Sequence, residues 1–419
     1  MIRADISNLW CSVSLPELLG NERKLFDTHM ALAGGEYRQN GFFGWLSQSG
    51  SVRRAWLAEI TAAAEAIRAQ SEVLVVVGGG LSIAGARAAI RLSYGRRVST
   101  PRLIYVGDSF SAEDWLDVPA ALEGRDFSVL VCGTTGNELP TLTVLRALYR
   151  ILESRYGDQL GDRVFAFAPE EQNALRKLAQ SEQFHLLGHP SDPAGVRSAL
   201  SPAGLTLMAA AGMNADLLFG GAADCLQFCD ARNLDNPAWL CAAAAMALTE
   251  KGVRDQFLCV PSPASAELGA WWARTSSCWS RDGKGLRTAS LRLPADLAAV
   301  GDLLLDSADA HYATILRLPP ERRRASVEAM WKNEDGLKDL TGTDFGTLGD
   351  GMLDAVQDAL TENDVPFVTV ECLEPMTDDK IGELLYFAEF TSALTAQSLG
   401  LSPILHPEGW RLLEKPFGG

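Results

Sequence analysis

No Cys-x-x-Cys pair occurs among the eight cysteines of this chain. The spacing that marks a zinc ribbon or a dithiol centre is therefore missing. Cys225 and Cys229 stand four apart, on one face of a helix, but no His or Cys cluster nearby completes a metal set. Such scattered thiols are expected to be buried and reduced, and neither a metal nor another cofactor is expected. A membrane-spanning run is missing as well. The most apolar long stretch, 205–222, is interrupted by Asn214 and Asp216 and is too short to span. No apolar run follows the first charges of the chain, so no secretory leader is expected. Basic residues are in deficit, with 37 Lys+Arg against 53 Asp+Glu and a net charge of −16. That balance argues against nucleic acid and anionic membrane as partners. Internal repeats and low-complexity segments are also missing. What remains is a 419-residue chain, 47% hydrophobic, able to bury a large core in two or three domains and expected to be cytoplasmic.

The organising stretch is 73–90. Val73-Leu-Val-Val-Val77 reads as a strand buried on both faces. Gly78-Gly-Gly80 and Ser82 follow, then a small-residue helix through Ala84, Gly85 and Ala86. Strand, tight turn and helix together aim free N–H groups at an anion beyond the strand's carboxyl end. The dinucleotide spacing G-x-G-x-x-G fails, because residues 81–84 separate Gly80 from Gly85.

Strand and helix then alternate. Strands are expected at 102–106, 127–132 and 164–168, with helices at 52–70, 139–155 and 173–181. A second polar glycine turn, Gly133-Thr-Thr-Gly-Asn137, follows the strand at 127–132. Residues 198–250 read as helices. Strands recur at 256–260, 290–293, 313–318 and 366–370, with helices at 264–274 and 379–399. The segment 320–350 reads as charged loop. This is the pattern of doubly wound parallel sheets, which bind ligands beyond the strand carboxyl ends. The expected fold class is α/β, with two such lobes at 51–200 and 236–400. A helical connector is expected at 201–235, a helical N-terminal arm at 1–50 packed by Phe42, Phe43 and Trp45, and a C-terminal tail at 401–419.

Along most of its length the chain resembles the glucose-6-phosphate isomerases of the shorter bacterial type, built from two sugar-isomerase (SIS) domains. The resemblance rests on Gly44-Trp-Leu46, on Gly78–Ala88 with Ser82, Gly85, Ala86 and Arg87, and on Gly133-Thr-Thr135. It continues through Leu200-Ser-Pro-Ala-Gly-Leu205, Ala209-Ala-Ala-Gly212, Asp282-Gly-Lys-Gly285 and Asp296-Leu297. Ile381-Gly-Glu-Leu-Leu-Tyr386 and Ser402-Pro403 complete it. It implies SIS-type lobes, a homodimer, and a sugar or sugar phosphate bound between the lobes. It assigns Gly79, Gly80, Ser82, Gly133, Thr134 and Thr135 to substrate.

The family reaction interconverts an aldose and a ketose through an enediolate. It needs a carboxylate, a cation on the developing oxygen, an acid–base group to open the ring, and a phosphate anchor. The resemblance places the carboxylate in Thr275-Ser-Ser-Cys-Trp-Ser-Arg281, which contains none. It places the arginine at Val196, with Arg197 one residue away, and the histidine at Ala298. It places the lysine at Glu414, with Lys415 adjacent. In the phosphate turn Leu130-Val131 replace Ser-Lys and Cys132 replaces a hydroxyl. Leu81 replaces a glycine. Arg197 and Lys415 are the nearest stand-ins for catalytic groups. Glu138, Asp302, His311 and His406 are further titratable groups, each of which reads first as an ordinary surface or satisfied polar residue.

Three readings follow. In the first, the chain is a diverged family member that binds a sugar or sugar phosphate without the standard isomerase mechanism. In the second, it is a working isomerase of glucose 6-phosphate and fructose 6-phosphate with rearranged groups. In the third, it is a structural or regulatory subunit.

Overall fold

Among the described residues, ten strands form two five-stranded sheets: β1 (Ile2–Asp5), β2 (Val73–Val77), β3 (Arg102–Val106), β4 (Phe127–Cys132), β5 (Val164–Phe167), β6 (His185–Leu187), β7 (Asp255–Val260), β8 (Arg287–Arg292), β9 (His311–Arg317) and β10 (Phe367–Cys372). The computed structural model describes residues 2–34, 50–93, 101–190, 193–306, 311–320, 323–332, 334–403 and 408–414. Phe42, Phe43, the Gly44-Trp-Leu46 motif, His406 and Lys415 lie outside the described residues. The chain divides into two compact units. One comprises Met1–Thr28, Phe228–Lys380 and Phe390–Leu401; the other comprises His29–Gln227, Ile381–Glu389 and Ser402–Gly419.

The unit holding β2 has the sheet order β3-β2-β4-β5-β6, with every neighbouring pair parallel. Burial explains the unbroken apolar runs: all residues of β2, β4 and β5 are buried. Strand side chains alternate between faces. Val73, Val75, Val77, Val129, Val131 and Ala166 face one core, closed by Leu145, Leu148 and Leu152 of the helix Leu139–Tyr156. The helix Pro202–Ala210 packs on the helices Gly50–Gln70 and Leu81–Leu92. This helix is buried along its whole length, which is why it is apolar all round. The sheet is therefore doubly wound, and its glycine turns lie at the carboxyl ends of β2 and β4.

The other unit has the order β1-β10-β9-β7-β8. Four of its strands are parallel, and β1 adds an antiparallel edge on β10. One face packs Cys259, Ala313, Ile315 and Phe367 against Leu353, Val356 and Leu360 of the helix Phe345–Glu362. The helix Pro237–Glu250 starts at Asn236, which is fully buried. Its side-chain oxygen accepts the Ala238 N–H, and its amide donates to the Cys229 and Ala231 carbonyls.

The structure departs from the sequence expectation at particular elements. Residues 2–5, expected within a helical arm, form a strand, because the β10 edge supplies the partner. β6 was not expected: three residues carry too short a pattern, and pairing with β5 makes the strand. The helix Phe345–Glu362 begins inside the segment expected to be loop. Asp344 caps it, its carboxylate accepting the Gly346 N–H at 2.9 Å, and glycines at 346, 349 and 351 obscure its first turns. β8 starts three residues before its expected beginning.

Candidate functional site at the glycine turns

The β2 and β4 turns meet backbone to backbone. Gly78 has φ +120°, and a Cβ there would lie 2.3 Å from the Cys132 carbonyl oxygen. Only glycine satisfies both conditions. Gly80 has φ +92° and caps the helix Leu81–Leu92; a Cβ on it would lie 3.2 Å from Thr134 Oγ1. A Cβ on Gly79 would lie 3.1 Å from the Asp108 side chain. Five of the six residues assigned to substrate, Gly79 apart, thus fall in one contiguous patch: Gly80 against Thr134, Ser82 against Cys132, then Gly133 and Thr135 in the same turn. Ser82 is buried, with Oγ 3.7 Å from Cys132 Sγ. Leu81 is half-buried.

The β4 turn is closed by its own acid. Glu138, buried at the start of the helix Leu139–Tyr156, accepts the N–H groups of Thr135 and Gly136 on its two carboxylate oxygens. Burial pushes its carboxyl above the usual range, and the surrounding backbone N–H groups pull it back down. Thr135 Oγ1 accepts the Asn137 N–H at 3.3 Å, and Asn137 Oδ1 accepts the Ala174 N–H at 3.0 Å. Gly136, at φ +77°, lies directly on the Asn173 side chain.

Cys132 also faces His189, with Sγ 3.9 Å from Nε2. Both are buried. Burial pushes the thiol up to about 12, and holds the imidazole down at about 4. The pair is therefore neutral at physiological pH, not a thiolate–imidazolium nucleophile.

Arg197 ends the short helix Pro193–Arg197, which packs on the helix Leu81–Leu92 that starts from the first glycine turn. It is buried, and its guanidinium lies 5.2 Å over the Trp410 ring. Trp410 opens the helix Trp410–Glu414, which packs on the helix Leu139–Tyr156. Just after Arg197, Ser198 Oγ and the Ala199 N–H both donate to the Glu389 carboxylate, at 2.8 and 2.7 Å. Burial lifts Glu389 to about 8.

In the other unit, Thr275-Ser-Ser-Cys-Trp-Ser-Arg281 spans the end of the helix Pro263–Ser277 and the turn after it. Trp279 is buried there, and Ser280 Oγ donates to the Leu286 carbonyl at 2.7 Å. His311 Nε2 lies 3.0 Å from the Leu304 carbonyl, the arrangement of a satisfied core histidine. Asp302 is exposed. Among the described residues no group of three or more His, Cys, Asp or Glu side chains is placed to hold a metal ion, and no helix is long and apolar enough to cross a membrane.

Sequence reasoning missed the roles of Glu389, His189 and Trp410. Glu389 had a signal, being a lone acid in the apolar run Leu384–Leu394. His189 and Trp410 had none, because their partners are distant in sequence.

No family model matches the chain. Whole-length comparison does find relatives. The chain is 31% identical over 390 residues to a glucose-6-phosphate isomerase of Exiguobacterium sibiricum, covering 90% of this chain and 87% of that protein. It is 31% identical over 379 residues to one of Clostridium novyi, covering 88% and 84%. Among solved structures, the fold is similar to a hypothetical protein of Thermus thermophilus, with TM-score 0.83, 20% identity and full coverage of both chains. It is also similar to a glucose-6-phosphate isomerase of Chlamydia trachomatis, with TM-score 0.72, 13% identity and coverage of 94% and 77%. With the expected paired α/β sheets in place and relatives of this identity along nine-tenths of its length, the chain belongs to the glucose-6-phosphate isomerase family.

Proposed function

We propose that this chain binds a sugar or sugar phosphate at the Gly78 and Gly133 turns and does not isomerise it by the family's usual route. The observation that carries this reading is the β4 turn. Its Thr135 and Gly136 N–H groups go to the buried Glu138 carboxylate. The strand end feeding it, Leu130-Val131-Cys132, is buried and uncharged. An anion arriving there finds those N–H groups already taken by the Glu138 carboxyl, and no cation from that strand. The Thr275–Arg281 stretch adds no carboxylate to move a proton between C1 and C2. Losing a positioned general base costs about two to four orders of magnitude in rate.

A second reading, a working sugar-phosphate isomerase, draws support from two sources. The relatives carry that name along most of the chain. Arg197, one place from the position the resemblance gives the family arginine, is also buried beside a loop fixed by Glu389. A reducing cytoplasm suits eight cysteines that form no Cys-x-x-Cys pair, and a homodimer is the expected assembly.

A coupled assay with fructose 6-phosphate, run beside thermal shift over phosphorylated and free sugars, separates the readings. Saturable stabilisation without turnover supports the first. Turnover that saturates with fructose 6-phosphate overturns it. No response to any sugar overturns both.

A further inference from the structure

A third strand reaches the glycine turns, and it brings an acid. The Gly78 N–H donates to the Val106 carbonyl at 2.9 Å, which joins the ends of β2 and β3. Gly107 follows at φ +88°, and a Cβ on it would lie 3.0 Å from the Gly78 nitrogen. Asp108 comes next, its Cβ 3.1 Å from where a Cβ on Gly79 would stand. On the β4 side, Thr134 Oγ1 lies 3.2 Å from the matching position on Gly80. An acid and a hydroxyl therefore flank the bare Gly79–Gly80 backbone. Asp108 is exposed and Thr134 half-buried. Among the described residues neither side chain has a hydrogen-bond or ion-pair partner.

Charge around this backbone is one-sided. Residues 73–86, 103–124 and 126–145 carry β2, β3 and β4 through their turns into the helices that follow, and hold no lysine, arginine or histidine. Arginines on the surrounding elements are turned to other groups. Arg87 lies 4.9 Å over the Tyr105 ring, and Arg197 lies over Trp410. Arg176 donates to the Pro169 and Ala168 carbonyls at 2.8 and 3.4 Å. The start of the helix Leu81–Leu92 offers an anion about half an elementary charge. A carboxylate beside it opposes with a whole one, and a phosphate group brings about two of the same sign.

A ligand bearing only hydroxyls meets the opposite balance. Adjacent hydroxyls donate to a carboxylate without carrying charge into the site, and accept from backbone N–H groups and threonine.

We propose that the glycine-turn site takes an unphosphorylated sugar, and that Asp108 sets this preference by accepting from the sugar hydroxyls and repelling the phosphorylated form. This rests on the reading of the turns as a sugar site.

Calorimetric titration of glucose and fructose, each free and as the 6-phosphate, into the full chain tests it. The expected result is saturable binding of a free sugar, about tenfold or more tighter than its 6-phosphate, with the gap narrowing as ionic strength rises. Asp108→Asn should weaken the free sugar by about tenfold, and Asp108→Lys should reverse the preference. Because Asp108 is exposed, both variants should melt close to wild type. A 6-phosphate that binds wild type as tightly as the free sugar, or more tightly, overturns this inference and leaves the sugar-site reading standing. A preference for free sugar that both variants leave unchanged removes Asp108 as its source and also overturns the inference. Binding of none of the four compounds overturns the inference and the reading together.

Discussion

Glu389 accepts the Ser198 hydroxyl at 2.8 Å although the two residues are 191 apart in sequence. With the Ala199 N–H on its other oxygen, the carboxyl fixes the peptide that follows Arg197. Burial raises this group from 4.5 to about 8. The native state therefore holds a proton that the unfolded chain has released between those values, and stability falls as pH rises through that window. The shift, 8 − 4.5, corresponds to about 5 kcal/mol as an order of magnitude. Glu389→Gln should flatten the urea-unfolding stability between about pH 5 and pH 8, its carboxamide oxygen keeping the Ala199 N–H and its nitrogen donating to Ser198. Glu389→Ala should be destabilising at every pH, by about 2–4 kcal/mol. An equal pH slope in wild type and Glu389→Gln would refute the assignment.

Glu138→Ala should free the Thr135 and Gly136 N–H groups for an outside anion. The expected outcome is a gain in thermal stabilisation by inorganic phosphate, about tenfold in apparent affinity, with a loss of about 1–3 kcal/mol in the unliganded protein. Calorimetric titration of phosphate into both proteins checks it. An unchanged or weaker affinity in the variant would remove Glu138 as the group that closes the turn to anions.

His189 is held at about 4 against its ordinary 6.5 by burial alone. Its neutral form contributes stability that is complete above 6.5 and is lost as pH falls towards 4. The shift corresponds to about 3 kcal/mol. His189→Leu should reduce acid sensitivity in that window and leave stability at about pH 8 within about 2 kcal/mol of wild type. Equilibrium unfolding at a series of pH values reads this directly.

Gly78→Ala should be severely destabilising, by about 3 kcal/mol or more, because its Cβ meets a backbone carbonyl at 2.3 Å and its φ is +120°. Gly124→Ala is the control. It has φ +72° and nothing within 4 Å, so about 1 kcal/mol is expected. Similar midpoints for the two variants in urea would show that the turns yield.

The strands buried on both faces were legible in the sequence because β2, β4 and β5 are continuous apolar runs, and a turn with glycine follows β2 and β4 directly. β1 was not legible, because Ile2-Arg-Ala-Asp5 has no strand pattern of its own and takes its form from β10. Glycines in its first turns hid the start of the helix Phe345–Glu362. Within the site, local chemistry was within reach: an acid two and three residues after N–H groups of a glycine turn is a capping arrangement that Glu138 fulfils. Long-range pairing was not. Nothing in the residues around 389 specifies Ser198, and nothing near 410 specifies Arg197. Such pairs arise only when helices and loops already sit in the fold.

Because Gly78 rests on the Cys132 carbonyl, neither loop can be reshaped without moving the other. Under the proposed function, a change of ligand would therefore lie in side chains carried on a fixed frame, such as that of the half-buried Leu81, with the glycines untouched.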